Sequence, residues 1–317
     1  MRIILNMNKF RKIFLVITSF LLYGNISYAC DKSDNELVPT IYFPPRFTSI
    51  TPQNDYTFQL IELILAKSTN KYGPCKVALY DQRLPLKRIE MYLEKNENID
   101  IASFTVNQQR DAKFLPIKIP ISKGLMGYRL FLIRNGDETR FKEVNSLADL
   151  AKFTAGQGYN WLDAKILADN GLPVIIGSSI NSLVDMLIFK RFDYFPRGAL
   201  QIIAELKTYR NKSVSIEPHL VLNYPSISAL YVSKSNTALA ERLEYGFKEA
   251  FKDGSFDKFF YSHPSSVQAL TNLDLPNRKI IKICNPTLPD WVPIEVDEYW
   301  LHSWPANFRF KDCKLPK

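Results

Sequence analysis

Histidine is nearly absent: three residues in 317, His219, His263 and His302, scattered too widely to share a metal site or a catalytic relay. Cysteine is scarce as well, and no two of the four cysteines are close enough in sequence for zinc-type spacing. The chain has no nucleophile elbow, phosphate-binding loop or zinc-protease motif, and nothing in it calls for a cofactor. It has no Lys/Arg block and no nucleic-acid motif, which argues against a nucleic-acid partner. Beyond residue 30 there is no long apolar run, no internal repeat and no low-complexity stretch.

The N-terminus has a definite pattern. Arg2, Lys9, Arg11 and Lys12 form a basic segment, and no acidic residue precedes Asp31. An apolar run from Ile13 to Tyr23 follows, too short for a stable membrane-spanning helix, and then Ser27-Tyr28-Ala29 with small residues where a signal peptidase reads. Residues 1–29 are therefore predicted to be a cleaved secretory signal and the product periplasmic. An uncleaved anchor is the bland alternative. A lipoprotein acylated at Cys30 is another, although Ser27 stands where a lipid-attachment box prefers a branched aliphatic residue.

The full chain carries 41 basic and 32 acidic residues, net +9; removing the four basic residues of the signal leaves 37 − 32 = +5. A mildly basic surface suits an anionic ligand or a membrane surface. In an exported protein the four cysteines read as disulfides. Of the three connectivities, the expected one joins Cys284 to Cys313 around a tail rich in proline and aromatics, and Cys30 to Cys75 at the mature N-terminus.

About 290 mature residues exceed the usual single core, so two domains are the prior. The elements alternate. Strands are expected at Val38–Phe43, Lys76–Tyr80 and Ile99–Ala102, with helices at Tyr56–Lys67 and Leu86–Glu94 between them. A second unit follows, with strands at Tyr128–Arg134, Lys152–Ala155 and Asp193–Phe195. Its helices are Ser146–Ala151, one through Trp161 and Ile166, Ser179–Phe189 and Gly198–Leu206. A strand at Ala229–Ser233 and a helix through Leu239, Leu243, Phe247 and Phe251 then return toward the first unit. The fold class is α/β, two lobes each built on a mostly parallel sheet flanked by helices.

The segment SFTVNQQRDAKFLPIKIPI resembles the first-lobe ligand motif of family 3 periplasmic solute-binding proteins, where small or hydroxyl residues and an arginine follow the third strand. YPSISALYVSKSNTALAERLEYGFKEAFKDGSFDKFF looks like that family's return crossing and final helices, and NPTLPDW like a C-terminal stretch of some members. The resemblance runs from about Val38 to Trp291. It implies a type II periplasmic-binding fold: lobe one at 38–120 plus 227–317, lobe two at 125–222, and hinges at 121–124 and 223–226. It also implies no enzyme activity and a monomer that captures a small polar or anionic ligand, amino-acid-like or dicarboxylate, for an ABC-transporter permease. A sensing role beside a membrane receptor or cyclase is the alternative. A dehydratase of the same fold is a further one, with Asp81 or Glu205 as candidate acids.

By the motif, Ser103, Thr105 and Arg110 hold a ligand carboxylate. A guanidinium offers a rigid donor fork, and two hydroxyl residues two apart on an extended segment face one side. Gly158 and Tyr159 lie in Gly156-Gln157-Gly158-Tyr159-Asn160 before a helix, either an anion seat or merely a turn. Tyr42 belongs to the floor of the site or, with Phe43, to the core; Trp161 either roofs the cleft or is buried. Amino-acid-binding members carry an acid a few positions after the residue corresponding to Asp193, and this chain offers Arg197 and Gly198 there. Arg197 either adds a second positive group to the pocket or pairs with an acid of lobe two.

Overall fold

The computed structural model describes Cys30 and residues 37–45, 55–159 and 161–304. The first unit opens with β1 (Thr40–Phe43), α1 (Tyr56–Tyr72), β2 (Lys76–Leu79), α2 (Leu86–Lys95), β3 (Ile101–Thr105), α3 (Gln108–Lys113) and β4 (Phe114–Pro116). The second holds β5 (Tyr128–Arg134), α4 (Glu138–Phe141), α5 (Leu147–Leu150), β6 (Ala155–Gly158), α6 (Leu162–Asp169), β7 (Val174–Gly177) and α7 (Ile180–Ile188). It continues with β8 (Phe195–Gly198), α8 (Ile202–Thr208), β9 (Val214–Ile216) and β10 (Leu220–Asn223). The chain ends with β11 (Ser228–Ser233), α9 (Thr237–Lys252), α10 (Ser255–Ser262), α11 (Pro264–Thr271) and β12 (Lys279–Lys282).

Local chemistry starts and stops these elements. The Asp55 carboxylate caps α1 by accepting from the amides of Thr57 and Phe58, and Gly73 ends it at φ 77°. Ser179 caps α7, whose Leu183, Val184 and Leu187 are buried as the apolar spacing requires. Along α1 the buried Leu60, Ile61, Ile64 and Leu65 meet α9. Gly246 makes that approach possible: a Cβ there would overlap the Ile64 carbonyl oxygen and lie 2.7 Å from its Cγ2.

The two units have the same strand order. In the first, β1 and β2 are parallel, the Asp100 amide donates to Tyr42 O (3.0 Å) to bring in β3, and β11 lies antiparallel between β3 and β4. In the second, β6 and β7 are parallel, Ala155 bridges Tyr194 in parallel to bring in β8, and β5 lies antiparallel between β8 and β10. The orders are β2-β1-β3-β11-β4 and β7-β6-β8-β5-β10, with β9 also antiparallel to β5. Each inserted antiparallel strand is the first after a crossing between units, so it enters its sheet from the opposite end. The crossings run side by side: Tyr224 N donates to Gly127 O (3.2 Å) and Ile121 N to Ser228 O (3.1 Å).

Several expected segments sit elsewhere. Glycine-rich β6 lies three residues beyond the predicted Lys152–Ala155, and β8 two residues beyond Asp193–Phe195. Although 227–317 was expected to stay with the first unit, β12 pairs in parallel with β10 of the second. The chain then returns, because Leu288, Val292, Ile294 and Trp300 share a core with Leu84, Phe104, Phe114 and Ile227. The expected Cys30–Cys75 disulfide is present, with Cα atoms 6.3 Å apart. Its sulfur cannot also carry a thioether-linked lipid. Cys284 is disulfide-bonded, and its expected partner Cys313 lies outside the described residues, as do residues 1–29. Among the described residues no helix is long and apolar enough to cross a membrane.

Candidate functional site

In open α/β sheets, ligands meet the carboxyl ends of strands where the strand order reverses. Here those ends are β1 and β3 in one unit, β6 and β8 in the other, and they carry the residues singled out in the sequence.

At the end of β3, burial alternates: Phe104 is in the core against Phe114 and Tyr231, while Ser103 and Thr105 are half-buried on the opposite face. Asn107 then caps α3 by accepting from Arg110 N (2.8 Å), a turn that folds the Arg110 side chain back over β3. Its Nη1 donates to Thr105 O (2.7 Å), and its guanidinium carbon lies 5.0 Å from the Phe104 ring centre. Glu90 Oε1 is 3.5 Å from Nε, an ion pair without a hydrogen bond, so Nε stays buried and unpartnered. Among the described residues Nη2 has no protein partner. Asp111, next in the chain, anchors α3 by accepting from the Tyr231 hydroxyl (2.8 Å) and Trp291 Nε1 (2.7 Å).

On β1 the two aromatics separate. Phe43 is core, whereas Tyr42 is 40% exposed and its amide donates to Asp100 Oδ2 (2.7 Å).

The glycines of β6 are required by packing. A Cβ on Gly156 would enter the Phe192 ring, and one on Gly158 the Trp161 indole, so the space beside both is filled by aromatic rings. Tyr159 is 70% exposed, and its amide donates to Gly177 O (2.9 Å). Trp161 stacks on Phe195 (6.2 Å, 17°), and the Arg197 guanidinium lies 4.7 Å from the Trp161 ring and 4.8 Å from that of Phe195.

Arg197 corrects the charge expectation. It is buried and grips buried Glu205 with two parallel hydrogen bonds, Nε to Oε2 at 2.6 Å and Nη2 to Oε1. The pocket is therefore not made doubly positive by Arg110 and Arg197. The same pairing occupies both oxygens of Glu205, and Asp81 is exposed, so neither candidate acid has the geometry of a buried proton donor.

Arg129 was missed. It lies in β5, paired in register with Gly198, and its Nε donates to the Tyr224 hydroxyl (2.6 Å) while Nη2 faces Asp163 Oδ1 (2.8 Å). Tyr224 in turn donates to Asp163. Burial by itself would lower the Arg129 pKa, but Asp163 and Tyr224 outweigh it and move it up. Burial pushes the Tyr224 hydroxyl well above its ordinary range, so both groups keep their protons. An arginine between Tyr128 and the apolar run Leu130–Ile133 was the available signal, since a buried cation requires partners.

A depression of about 480 Å³ lies elsewhere, lined by Ile119, Lys248, Phe251, Lys252, Glu298 and Tyr299; no strand-end residue borders it. Among the described residues no cluster of His, Cys, Asp or Glu could hold a metal ion.

No family model matches the chain, and no curated protein matches it. Solved structures do. An ancestral arginine-binding protein bound to arginine is 19% identical, covering 71% of this chain and 98% of its own, with a TM-score of 0.51. An ancestral arginine-binding protein bound to glutamine gives 18% identity with the same coverage and TM-score. With the duplicated strand order and the paired crossings, the chain has the two-lobed, type II periplasmic-binding fold.

Proposed function

We propose that this chain is an exported solute-binding protein that closes two lobes over a small carboxylate-bearing molecule and delivers it to a membrane permease. The observation that carries the reading is Arg110, which sits at the switch point of the first sheet. One of its amino groups is fixed on Thr105 O and, among the described residues, the other has no protein partner, with half-buried Ser103 and Thr105 on the same strand end. That arrangement suits a carboxylate: the open edge of the guanidinium donates to one oxygen, and the hydroxyl residues at the end of β3 are the candidates to donate to the other. The two ancestral structures of the same fold, bound to arginine and to glutamine, support ligands that carry a carboxylate. Exposed Tyr42 and Tyr159 are assigned to the rim of the cleft, buried Gly158 to making room for the Trp161 indole, and Arg197 to holding Trp161 in place. In this reading lobe one is 38–120 plus 227–317 apart from β12, which joins the sheet of lobe two, lobe two is 125–222, and hinges at 121–124 and 223–226 allow closure. Residues 1–29 direct export.

The test is a thermal-shift screen of amino acids, dicarboxylates and cyclic acids, followed by calorimetric titration of the best ligand. A ligand at a hundredfold excess over its Kd stabilises the folded state by about 2.7 kcal/mol. Arg110→Ala should then weaken binding by about 2–5 kcal/mol, tens to thousands of times in Kd. Arg110→Lys should recover part of it, since an ammonium cannot match the fork. Unchanged affinity in a folded Arg110→Ala protein removes the carboxylate site.

A further inference from the structure

All seven residues of β5 are buried, and Arg129 is among them. Two of its three nitrogens are committed, Nε to the Tyr224 hydroxyl and Nη2 to Asp163, and Tyr224 closes the triangle by donating to the same Asp163 oxygen. These contacts fix the guanidinium plane. The third nitrogen, Nη1, donates to no protein atom among the described residues, and unlike Arg110 Nε it is not sealed from solvent.

Gly198 shows where Nη1 points. A Cβ on Gly198 would stand 2.8 Å from Nη1 and 3.1 Å from Gln201 Oε1, so any side chain at 198 would meet the guanidinium. The backbone does not require glycine here, because Gly198 has no positive φ. It is the neighbouring cation that requires it. Gly198 is also the last residue of β8, at the carboxyl end where the second sheet reverses its order. The missing side chain leaves Nη1 uncovered on the Gly198 side of an otherwise buried residue. The surrounding charges balance, Asp163 against Arg129 and Glu205 against Arg197, so an arriving anion meets a free donor and no excess of negative charge.

We propose that Arg129 Nη1 is a second ligand-binding point that takes an acceptor oxygen of a carboxylate, and that the Gly198–Arg129 pair selects diacids over ligands presenting an ammonium at this side. Nη1 can only donate. An ammonium also only donates and carries the same charge, so the two repel, whereas a carboxylate gains a charge-assisted hydrogen bond. The inference rests on the reading that a first carboxylate meets Arg110.

Calorimetric titration with two matched pairs tests it: glutarate against L-glutamate, and succinate against L-aspartate. Each pair shares its carboxylates and differs by one ammonium. At least one diacid should bind ten times or more tightly than its amino-acid counterpart. Gly198→Ala, which puts a methyl group against Nη1, should lower that diacid's affinity at least tenfold while the apo thermal midpoint shows the protein still folded. Tighter binding of the amino acids by the wild type, or diacid affinity within twofold in Gly198→Ala, overturns the proposal. Arg110→Ala in parallel separates the two readings. If Gly198→Ala loses affinity and Arg110→Ala does not, Arg129 stands and the Arg110 carboxylate falls. If neither variant changes binding, or none of the four acids binds at millimolar concentration, both fall.

Discussion

Glu205→Gln isolates the buried Arg197–Glu205 ion pair at the end of β8. The amide keeps the shape and removes the charge, leaving the Arg197 guanidinium between Trp161 and Phe195 without its anion. Both side chains are only about a tenth exposed, 9% and 10%, so water screens little of the interaction. Removing one partner of such a pair costs about 3–5 kcal/mol, mostly because the other charge stays buried. The two aromatic faces retain about 0.5–2 kcal/mol of cation–π attraction, which places the loss near the lower end, about 3 kcal/mol. In a chain of this size that is about 5 °C in thermal midpoint. Scanning calorimetry and urea unfolding of Glu205→Gln, Arg197→Met and the double variant Arg197→Met/Glu205→Leu would measure it. The double variant should be much closer to wild type than either single one, because it leaves no stranded charge. Single-variant losses below about 1 kcal/mol would refute this account of the pair. A changed ligand ranking in Arg197→Met would refute its structural role.

Gly246→Ala gains about 1 kcal/mol of helix propensity in α9 but forces a methyl group into the Ile64 backbone, an overpacking of about 1–3 kcal/mol, so the thermal midpoint should fall. Arg242 is 1% exposed and donates to Ser68 Oγ (2.9 Å), Gly73 O (2.6 Å) and Tyr72 O (3.4 Å). Arg242→Ala frees these acceptors at the end of α1 and should cost about 2–4 kcal/mol in urea unfolding. Trp300 covers Gly124 and donates Nε1 to Pro293 O (2.9 Å); Trp300→Ala should cost about 3 kcal/mol and expose residues 285–304 to faster proteolysis. Burial lowers the pKa of His263, which Asp55 partly offsets; its Nδ1 accepts from Ser265 N (3.1 Å), and Tyr56 and Phe259 pack on the ring. The unfolded chain then binds the proton more readily than the folded one. Stability contributed by neutral His263 is complete above about pH 6.5 and is lost as pH falls toward the lower folded value. Between those limits wild type should lose thermal midpoint more steeply than His263→Asn, and parallel profiles would count against the assignment.

The sequence by itself determined what depends on near neighbours. The spacing of Leu183, Val184 and Leu187 with Ser179 ahead of it made α7 legible, and the pattern Ser103-Phe104-Thr105 fixed which side chains leave the core at the end of β3. Cys30 and Cys75 were legible because four cysteines have few pairings to choose from. Strands β7, β9, β10 and β12 were not, since each is four residues or fewer and is defined by a partner strand elsewhere in the chain. β12, KIIK with one buried residue, is a strand only because β10 lies beside it. The site divides the same way. Arg110 and its acceptor Thr105 are five residues apart, so their contact lies within reach of a local pattern. Arg129 meets Tyr224 across 95 residues, and Gly156 and Gly158 are glycines because Phe192 and Trp161 rings press on them. Arg197 was legible as a charge, but whether that charge faced a ligand or Glu205 depended on how β8 and α8 pack. Sequence supplies the donors and acceptors; only tertiary structure decides which of them are already spent on one another and which, like Nη1 of Arg129, are left for a ligand.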